Sequence, residues 1–297
     1  MARFSKGRSA ATLSILAVAS LALSACGGGG TPGDSGSNKF EVAKDVSISG
    51  SPTFDKIKSA GKIIIGVKED QPGLGYKNAA SGERSGFDIE IAQWMAASLG
   101  YGSDKIEFKP VDSAAREQAL ANGDVNLYVG TYSITDKRKA LVSFVGPYFV
   151  TGQGLLVAKD NTTINSEKDL DGKTVCSATG STPLQNIQQN FPKVKVTSFD
   201  KYSQCVDALK NGQVDAVTTD QAILIGYASQ DPEKLKVVGE PFTTEKYGIG
   251  LPKGDTALCQ ALTKTLTDGG STWTKIYDET LGKSGTKVEQ PTPDACS

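Results

Sequence analysis

The sequence predicts an α/β fold made of two lobes of similar build. From about residue 54 onward, apolar runs of strand length alternate with segments of helical periodicity, a pattern typical of open, mainly parallel sheets covered by helices. The pattern Ala-Leu-X-Asn-Gly-X-Val occurs at 119–125 and again at 208–214, and Gly-Lys opens a predicted strand at 61–62 and at 172–173. Because the same helix, turn and strand recur in two parts of the chain, two lobes facing one another across a cleft are expected.

Composition excludes several classes of mechanism. The 297 residues include no histidine, so neither a Ser-His-Asp triad nor a histidine-ligated zinc site can form. The net charge of −1 argues against a nucleic-acid partner. The cysteines are not closely spaced and no nucleotide-binding loop is present, so neither a metal nor a cofactor is expected.

Residues 1–25 are predicted to be a signal peptide. Three basic residues precede a short apolar core at 13–23, and Leu-Ser-Ala-Cys then ends at Cys26. This tetrapeptide resembles the lipobox of bacterial lipoproteins, which implies lipidation of Cys26 and anchoring to the outer face of the cytoplasmic membrane. An ordinary cleaved signal peptide is the alternative, and it would also predict export. Residues 26–53 are rich in Gly, Ser and other polar residues, which predicts a flexible, lipid-anchored linker.

The first lobe is predicted to start with a strand and a helix whose buried face carries Ile91, Met95 and Leu99. A second helix stops at Asn122-Gly123, a sequence that favours a left-handed cap. The predicted elements in order are a strand at 62–67, a helix at 87–99, a strand at 106–108, a helix at 114–121 and a strand at 125–129.

The segment 130–138, Gly-Thr-Tyr-Ser-Ile-Thr-Asp-Lys-Arg, follows the last of these strands. Its hydroxyls and backbone N–H groups can hold an anion, and Arg138 offers parallel donors that match the two oxygens of a carboxylate. The alternative is a polar turn with an exposed arginine. We therefore predict an anion site at this strand end.

The second lobe offers two further candidate sites. A strand at 174–178 leads into a helix for which Thr182 and Gln185 have capping-box spacing and Pro183 is the first helical residue. Its N-terminal N–H groups could bind an anion, or the helix could simply be capped. Asp220, after the strand that repeats the one before Gly130, either binds a cation or caps a helix at 222–228.

Four cysteines remain after Cys26, an even number suited to an oxidising compartment. Three connectivities are possible. Pairing Cys176 with Cys205 and Cys259 with Cys296 is favoured because each pair then lies within one lobe. Four buried thiols are the alternative.

Two motifs carry a resemblance to a known family. Gly-Phe-Asp-Ile-Glu-Ile at 86–91 and Ser-Ile-Thr-Asp-Lys-Arg at 133–138 resemble the signatures of the solute-binding proteins of polar amino-acid ABC importers, family 3. Residues 66–72 and 131–133 are similar to those of actinobacterial glutamate-binding lipoproteins. The resemblance covers about 54–281 and implies the type-II periplasmic-binding-protein fold, in which two α/β lobes are joined by a two-strand hinge.

The resemblance also implies roles for individual residues. Arg138 would clamp the α-carboxylate of an amino acid with help from Ser133 and the N–H groups of Ser181 and Thr182. Asp220 would pair with the α-ammonium. Gly130 and Thr131 would supply further acceptors and donors.

Side-chain selection requires a further cation if the ligand is acidic. Lys68 lies where relatives that bind acidic amino acids carry a basic residue, and Arg116 resembles an arginine often found in them. Either could instead be a solvated surface charge. The family usually has an aromatic residue on the first strand-to-helix loop, but Gln71-Pro72-Gly73 stands here, which leaves Tyr76 or Phe87 as substitutes.

The predicted division places lobe one at 54–151 and 246–297, and lobe two at 152–245, with hinge strands near 150–154 and 243–247. The expected function is capture of glutamate by a monomer that delivers it to a permease driven by a separate ATPase. Alternatives are glutamine, asparagine or aspartate as ligand, a sensor that reports to a receptor kinase, and an exported dehydratase on the same fold.

Overall fold

The computed structural model describes residues 38–284 and 288–296. The predicted signal peptide, Cys26 and the first part of the predicted linker lie outside these residues. Within the described part of the chain, no helix is long and apolar enough to cross a bilayer.

The first half of the described chain runs from an N-terminal helix to the first long strand. Its elements are α1 (Pro52–Ala60), β1 (Ile63–Val67), β2 (Tyr76–Lys77), β3 (Arg84–Ser85), α2 (Phe87–Ser98), β4 (Ile106–Pro110), α3 (Arg116–Asn122), β5 (Leu127–Tyr128), α4 (Asp136–Lys139) and β6 (Val142–Thr151), with 3-10 turns at Ser103–Lys105 and Ser113–Ala115.

The second half begins with a strand that is nearly continuous with β6. Its elements are β7 (Gln153–Ala158), β8 (Thr174–Ala178), α5 (Thr182–Asn190), β9 (Lys195–Phe199), α6 (Tyr202–Lys210), β10 (Ala216–Asp220), α7 (Gln221–Gln230), β11 (Leu235–Val238), β12 (Glu245–Pro252), α8 (Thr256–Asp268) and α9 (Gly270–Glu279), with 3-10 turns at Glu167–Asp169 and Leu281–Ser284.

Two five-stranded sheets define two lobes. Lobe one contains the sheet β4-β1-β5-β12-β6, and lobe two contains β11-β7-β10-β8-β9. The chain passes from one sheet to the other at Gly152 and returns between β11 and β12. The two-lobed α/β architecture predicted from the sequence is therefore present.

The sheets are mixed rather than mainly parallel, which corrects one expectation. In lobe one, β1 pairs in parallel with β4 and β5, whereas β12 is antiparallel to both β5 and β6. In lobe two, β10, β8 and β9 are parallel, whereas β7 is antiparallel to β10 and β11. The antiparallel pairs arise because the strands that cross between the lobes run against the strands built by helix crossovers.

Local sequence explains the repeated turns. Gly123 ends α3 in the left-handed region with φ 75°, and its counterpart Gly212 follows α6 with φ 67°. Glycine adopts this conformation without the steric cost that a Cβ imposes. Each turn redirects the chain into a central strand, β5 or β10, whose end faces the cleft.

The linker prediction is wrong for residues 38–53. Lys39 Nζ lies 2.6 Å from Glu90 and 2.7 Å from Glu279, and the Ala43 N–H donates to the Ala97 carbonyl oxygen. Asn38 Oδ1 accepts from the Ser103 N–H at 2.8 Å. Residues 38–51 are called the strap below. Three of their apolar side chains, Phe40, Val46 and Ile48, pack against the hydrophobic core, and burial of this apolar surface helps to hold the strap in place.

The described cysteines form two disulfides, Cys176–Cys205 and Cys259–Cys296. The first joins β8 to α6 in lobe two. The second joins α8 to the C-terminal segment, where the Asp294 N–H also donates to the Gly146 carbonyl oxygen at 2.7 Å. Each bond thus lies within one lobe and leaves movement of the two lobes unrestricted.

Candidate functional site

Four strand ends converge at the junction of the lobes. From lobe one, β1 leads into Lys68 and β5 leads into Gly130. From lobe two, β8 leads into residues 179–181 and β10 ends at Asp220. The carboxyl ends of strands in such sheets are where ligands bind, so the side chains at these four ends form the candidate site.

The turn at Gly130-Thr131 is held by a buried carboxylate. Thr131 has φ 46°, unusual for a β-branched residue, and its N–H donates to Asp88 Oδ2 at 3.0 Å. Tyr148 Oη donates to the other oxygen, Oδ1, at 2.7 Å. Burial raises the pKa of Asp88 to about 6, against the lowering effect of these two donors. Asp88 thus fixes the backbone of the predicted anion segment from the first turn of α2.

Arg138 is buried at 5% exposure and already has protein partners. Its Nη1 donates to the Ser133 carbonyl oxygen at 2.7 Å, its Nη2 to the Gly180 carbonyl oxygen of lobe two at 3.1 Å, and its Nε lies 3.2 Å from Glu117 Oε1. A guanidinium has five N–H donors, so these three contacts leave two for a ligand. Burial and then Arg116 lower the pKa of Arg138 to about 10, and the side chain remains cationic at neutral pH.

Tyr132 is a site residue that the sequence did not reveal. Its ring centroid lies 4.4 Å from Arg116 Cζ and 5.1 Å from Arg138 Cζ. Cation–π attraction allows the neutral Tyr132 ring to stabilise both buried guanidinium groups. The ring is itself packed between Tyr128 and Phe144.

Lobe two contributes the start of α5, with one correction. The N-cap is Ser181, whose hydroxyl accepts from the Leu184 N–H, and not Thr182. The Ser181 N–H donates to the Ala178 carbonyl oxygen, so it is not open to a ligand as expected. Thr182 instead uses its hydroxyl between lobes, 3.2 Å from Ser133 Oγ and donating to Glu245 Oε2 at 2.9 Å. Ser181 and Thr182 both have a hydroxyl that could cap the helix, and the turn after β8 places the Ser181 hydroxyl at the cap.

Asp220 occupies the N-cap position of α7 without capping it through its side chain. Its Oδ2 accepts from Tyr247 Oη of lobe one at 2.7 Å. Its Oδ1 is buried and has no hydrogen-bond partner among the residues described. Burial, and then the neighbouring Glu245, raises the pKa of Asp220. A buried acceptor of this kind suits a cationic donor such as an α-ammonium group.

Lys68 is buried at 5% exposure. Its ammonium donates to Ser113 Oγ at 2.9 Å and forms no salt bridge within the described ranges. Burial, and then Arg116, lowers the pKa of Lys68 to about 7, while Asp70 and Asp112 oppose this effect from a distance. A buried ammonium with only a hydroxyl partner is costly unless an anion joins it.

Arg116, 2% exposed, lies on the same side. Its Nε donates to the Ser113 carbonyl oxygen at 3.0 Å and its Nη2 to the Gly180 carbonyl oxygen at 3.3 Å. These partners are neutral. The alternative that Lys68 or Arg116 is a solvated surface charge is therefore excluded, because both side chains are buried beside Ser113.

The loop after β1 carries the amide side chain of Gln71 where the family resemblance implies an aromatic residue. Gln71 is fully buried, and its Oε1 accepts from Thr131 Oγ1 at 3.2 Å. Phe87 lies in the core of lobe one, in edge contact with Trp273, so it is not a substitute. Tyr76 is half-buried in β2. A polar loop residue gives no local signal of burial, which explains why Gln71 was not recognised.

The lobes also meet on the other side of this loop. Glu69 Oε1 lies 2.9 Å from Lys201 Nζ, and Asp70 Oδ2 accepts from the Ser203 N–H at 3.1 Å. The Asp70 carbonyl oxygen accepts from Tyr227 Oη at 2.5 Å. Together with the contacts of Gly180, these bonds show the lobes closed over the strand ends. A cleft of about 290 Å³, lined in part by Arg138 and Thr182, remains at the surface.

Comparison with known proteins decides the family. The profile of the bacterial extracellular solute-binding proteins, family 3, matches residues 63–283. The chain belongs to this family. The resemblance drawn from 86–91 and 133–138 is thereby confirmed, and an exported, amino-acid-binding protein of the type-II periplasmic fold is what the family and its solved members support.

Individual relatives differ in the ligand they are named for. The chain is 42% identical over 247 residues to the glutamate-binding protein GluB of Corynebacterium efficiens, covering 78% of this chain and 83% of that one. It is 44% identical over 257 residues to a glutamine-binding protein of Geobacillus stearothermophilus, covering 86% and 96%. An ancestral arginine-binding protein bound to arginine superposes with a TM-score of 0.70 at 38% identity, covering 75% of this chain and 99% of that one. These names indicate binding proteins and not enzymes.

Proposed function

We propose that this protein captures L-glutamate between its lobes outside the cytoplasmic membrane and delivers it to the permease of an ABC importer. The observation that carries the choice of glutamate is the buried ammonium of Lys68, which has a hydroxyl as its hydrogen-bond partner and no carboxylate partner among residues 38–284 and 288–296. A side-chain carboxylate would complete this site.

The α-amino and α-carboxylate groups would bind at the other charged groups. Arg138 retains two N–H donors for the α-carboxylate, and Asp220 Oδ1 would accept from the α-ammonium. Ser133 and Thr182 meet across the lobes, and the Ser133 carbonyl oxygen accepts from Arg138, so we assign them to the same position together with Gly130 and Thr131 of the preceding turn. Taking a zwitterion out of water is tolerable only when each charge meets such a partner.

Glutamine is the second candidate, favoured by the relative from Geobacillus stearothermophilus. Isothermal titration calorimetry with glutamate, glutamine, aspartate and asparagine would distinguish the candidates. We expect glutamate to bind most tightly, and a ligand at 100 times its Kd should stabilise the fold by about 2.7 kcal/mol in a thermal scan. Tighter binding of glutamine would overturn the choice of glutamate.

Membrane attachment is part of the proposal and rests on Leu23-Ser24-Ala25-Cys26. Lipidation of Cys26 would place the protein beside its permease. The variant Cys26→Ser is expected to bind ligand normally but to appear in the culture medium. If the processed variant stays in the membrane fraction, the anchor is not at Cys26.

A further inference from the structure

Both the backbone and the side chain of Gln71 are held by hydrogen bonds. The backbone N–H donates to the Gly75 carbonyl oxygen at 3.0 Å, and the backbone carbonyl oxygen accepts from the Leu74 N–H at 3.2 Å. The amide oxygen Oε1 accepts from Thr131 Oγ1, and the Thr131 N–H is held by Asp88. In this arrangement the oxygen of the Gln71 carboxamide is engaged by Thr131.

The amide nitrogen has no such commitment. Gln71 Nε2 is buried, and no hydrogen-bond acceptor for it occurs among the described residues. A buried donor without an acceptor destabilises a protein, and such groups are rare in folded domains. Functional sites are where they are tolerated, because a ligand supplies the missing partner.

Lys68 and Gln71 belong to the same short loop between β1 and β2. The loop folds back so closely that a Cβ on Gly75 would lie 2.9 Å from Lys68 Cβ. Gly130 precedes Thr131, the hydrogen-bond partner of Gln71, and a Cβ on Gly130 would lie 3.2 Å from the backbone nitrogen of Lys68. The ammonium and the amide N–H2 group, neither bound to a carboxylate within the described part, thus come from two side chains of one loop that packs against the Gly130-Thr131 turn.

We infer that Gln71 is a specificity-determining residue whose Nε2 donates to the side-chain carboxylate of the ligand beside Lys68. This inference rests on the proposed function. Donors suit a carboxylate, since both its oxygens accept, whereas the N–H2 group of a carboxamide needs an acceptor. Gln71 would therefore add to the preference for glutamate over glutamine, separately from the charge of Lys68.

The test compares glutamate and glutamine binding in three variants by titration calorimetry. Gln71→Met removes the amide at similar length, and Gln71→Glu replaces the donor with an acceptor. Gln260→Met, on the exposed side of α8, is the matched control. Thermal melts without ligand establish that each variant is folded.

Gln71→Met is expected to weaken glutamate by about 10- to 100-fold and glutamine by less than about threefold, the size of a hydrogen bond to a charged group. Gln71→Glu should weaken glutamate further and leave glutamine as tight or tighter, because the new carboxylate repels one ligand and accepts from the other. The control should bind both ligands like the parent protein.

Equal losses of both ligands would assign Gln71 a structural role and overturn the inference. A loss confined to glutamine would show that the amide presents its oxygen, and would overturn it as well. If Gln71→Met does not fold, the ratio of the two affinities in Gln71→Glu decides by the same criterion. Failure of the parent protein to prefer glutamate is a separate result, which would contradict the proposed function itself.

Discussion

The charged side chains of the cleft fall into two groups with different partners, Arg138 with Asp220 and Lys68 with Arg116, called its two ends below. Arg116 adjoins both, because it shares Ser113 with Lys68 and the Gly180 carbonyl oxygen with Arg138. At the end formed by Arg138 and Asp220, each charged side chain is already engaged, with Glu117 beside the guanidinium and Tyr247 Oη on the carboxylate. At the end formed by Lys68 and Arg116, the partners are a hydroxyl and two carbonyl oxygens. The first end is nearly balanced in charge, whereas the second carries two cations with no adjacent acid in the described ranges.

This difference assigns separate tasks to the two ends. Every α-amino acid brings one ammonium and one carboxylate, so a balanced end can accept any of them with little net change in charge. A ligand's side chain meets the unbalanced end, where one negative charge alters the energy most. Selectivity should therefore lie with Lys68, Arg116 and Gln71, and general affinity with Arg138 and Asp220.

Arg138→Ala is expected to have the largest effect and to be indifferent to the side chain of the ligand. Removing the guanidinium takes away the group that would pair directly with the α-carboxylate of the ligand, which should weaken glutamate and glutamine alike by about 4 to 5 kcal/mol, or roughly 10³ to 10⁴ in Kd. Titration calorimetry with both ligands measures this. A loss restricted to glutamate would break the comparison between the two ends.

Lys68→Met should weaken glutamate by about 3 to 4 kcal/mol, or roughly 10² to 10³ in Kd, and glutamine much less. The reason is that only glutamate brings a charge to the Lys68 ammonium. Lys77→Met, at an exposed lysine of β2, is the control for a general change in protein charge. Should both ligands lose affinity equally, side-chain selection belongs to Arg116 or the ligand is a neutral amide.

The smallest effect is a pH dependence of selectivity. Lys68 has a pKa of about 7 when no ligand anion neighbours it, because burial and Arg116 favour the neutral amine more than Asp70 and Asp112 oppose it. A bound carboxylate raises that pKa, so glutamate binding takes up a proton above pH 7. The ratio of the glutamate Kd to the glutamine Kd should then increase by about 10- to 30-fold from pH 6 to pH 8.5.

Both ligands carry the same α-ammonium group, so any pH dependence that arises from Asp220 changes both Kd values equally. It therefore cancels in their ratio. Calorimetry at several pH values, repeated in Lys68→Met, gives the measurement and its control. A ratio that is flat with pH in the parent protein would show that Lys68 keeps its charge in both states. If the ratio still changes with pH in Lys68→Met, a group other than Lys68 is responsible for the titration.

Features controlled by neighbouring residues in the chain were predictable. The two Asn-Gly helix ends needed only the preference of glycine for positive φ, and Arg138 was recognisable because its hydroxyl-rich segment is contiguous. Lys68, Arg116 and Asp220 were found through the family resemblance combined with their positions at strand ends.

Residues whose role depends on distant partners were not predictable. Asp88 looks like an ordinary acid in the first turn of a helix, but it holds Thr131 from far along the chain. Gln71 and Tyr132 are indistinguishable from solvent-exposed loop residues until the lobes and the first two strand ends are assembled. The prediction of a flexible linker failed for the strap for the same reason, since Lys39 and Ala43 contact helices α2 and α9, which lie much later in the sequence.

The strap has a mechanical consequence. Its ion pairs and hydrogen bonds join Lys39, Ala43 and Asn38 to lobe one alone. Force arriving along the chain at Asn38 is therefore carried by a single lobe and exerts no leverage on the hinge at Gly152. Lobe two takes part in none of these contacts, so a load applied at Asn38 would act on the lobe that carries Asp88 and Arg138 and not on the lobe that carries Asp220.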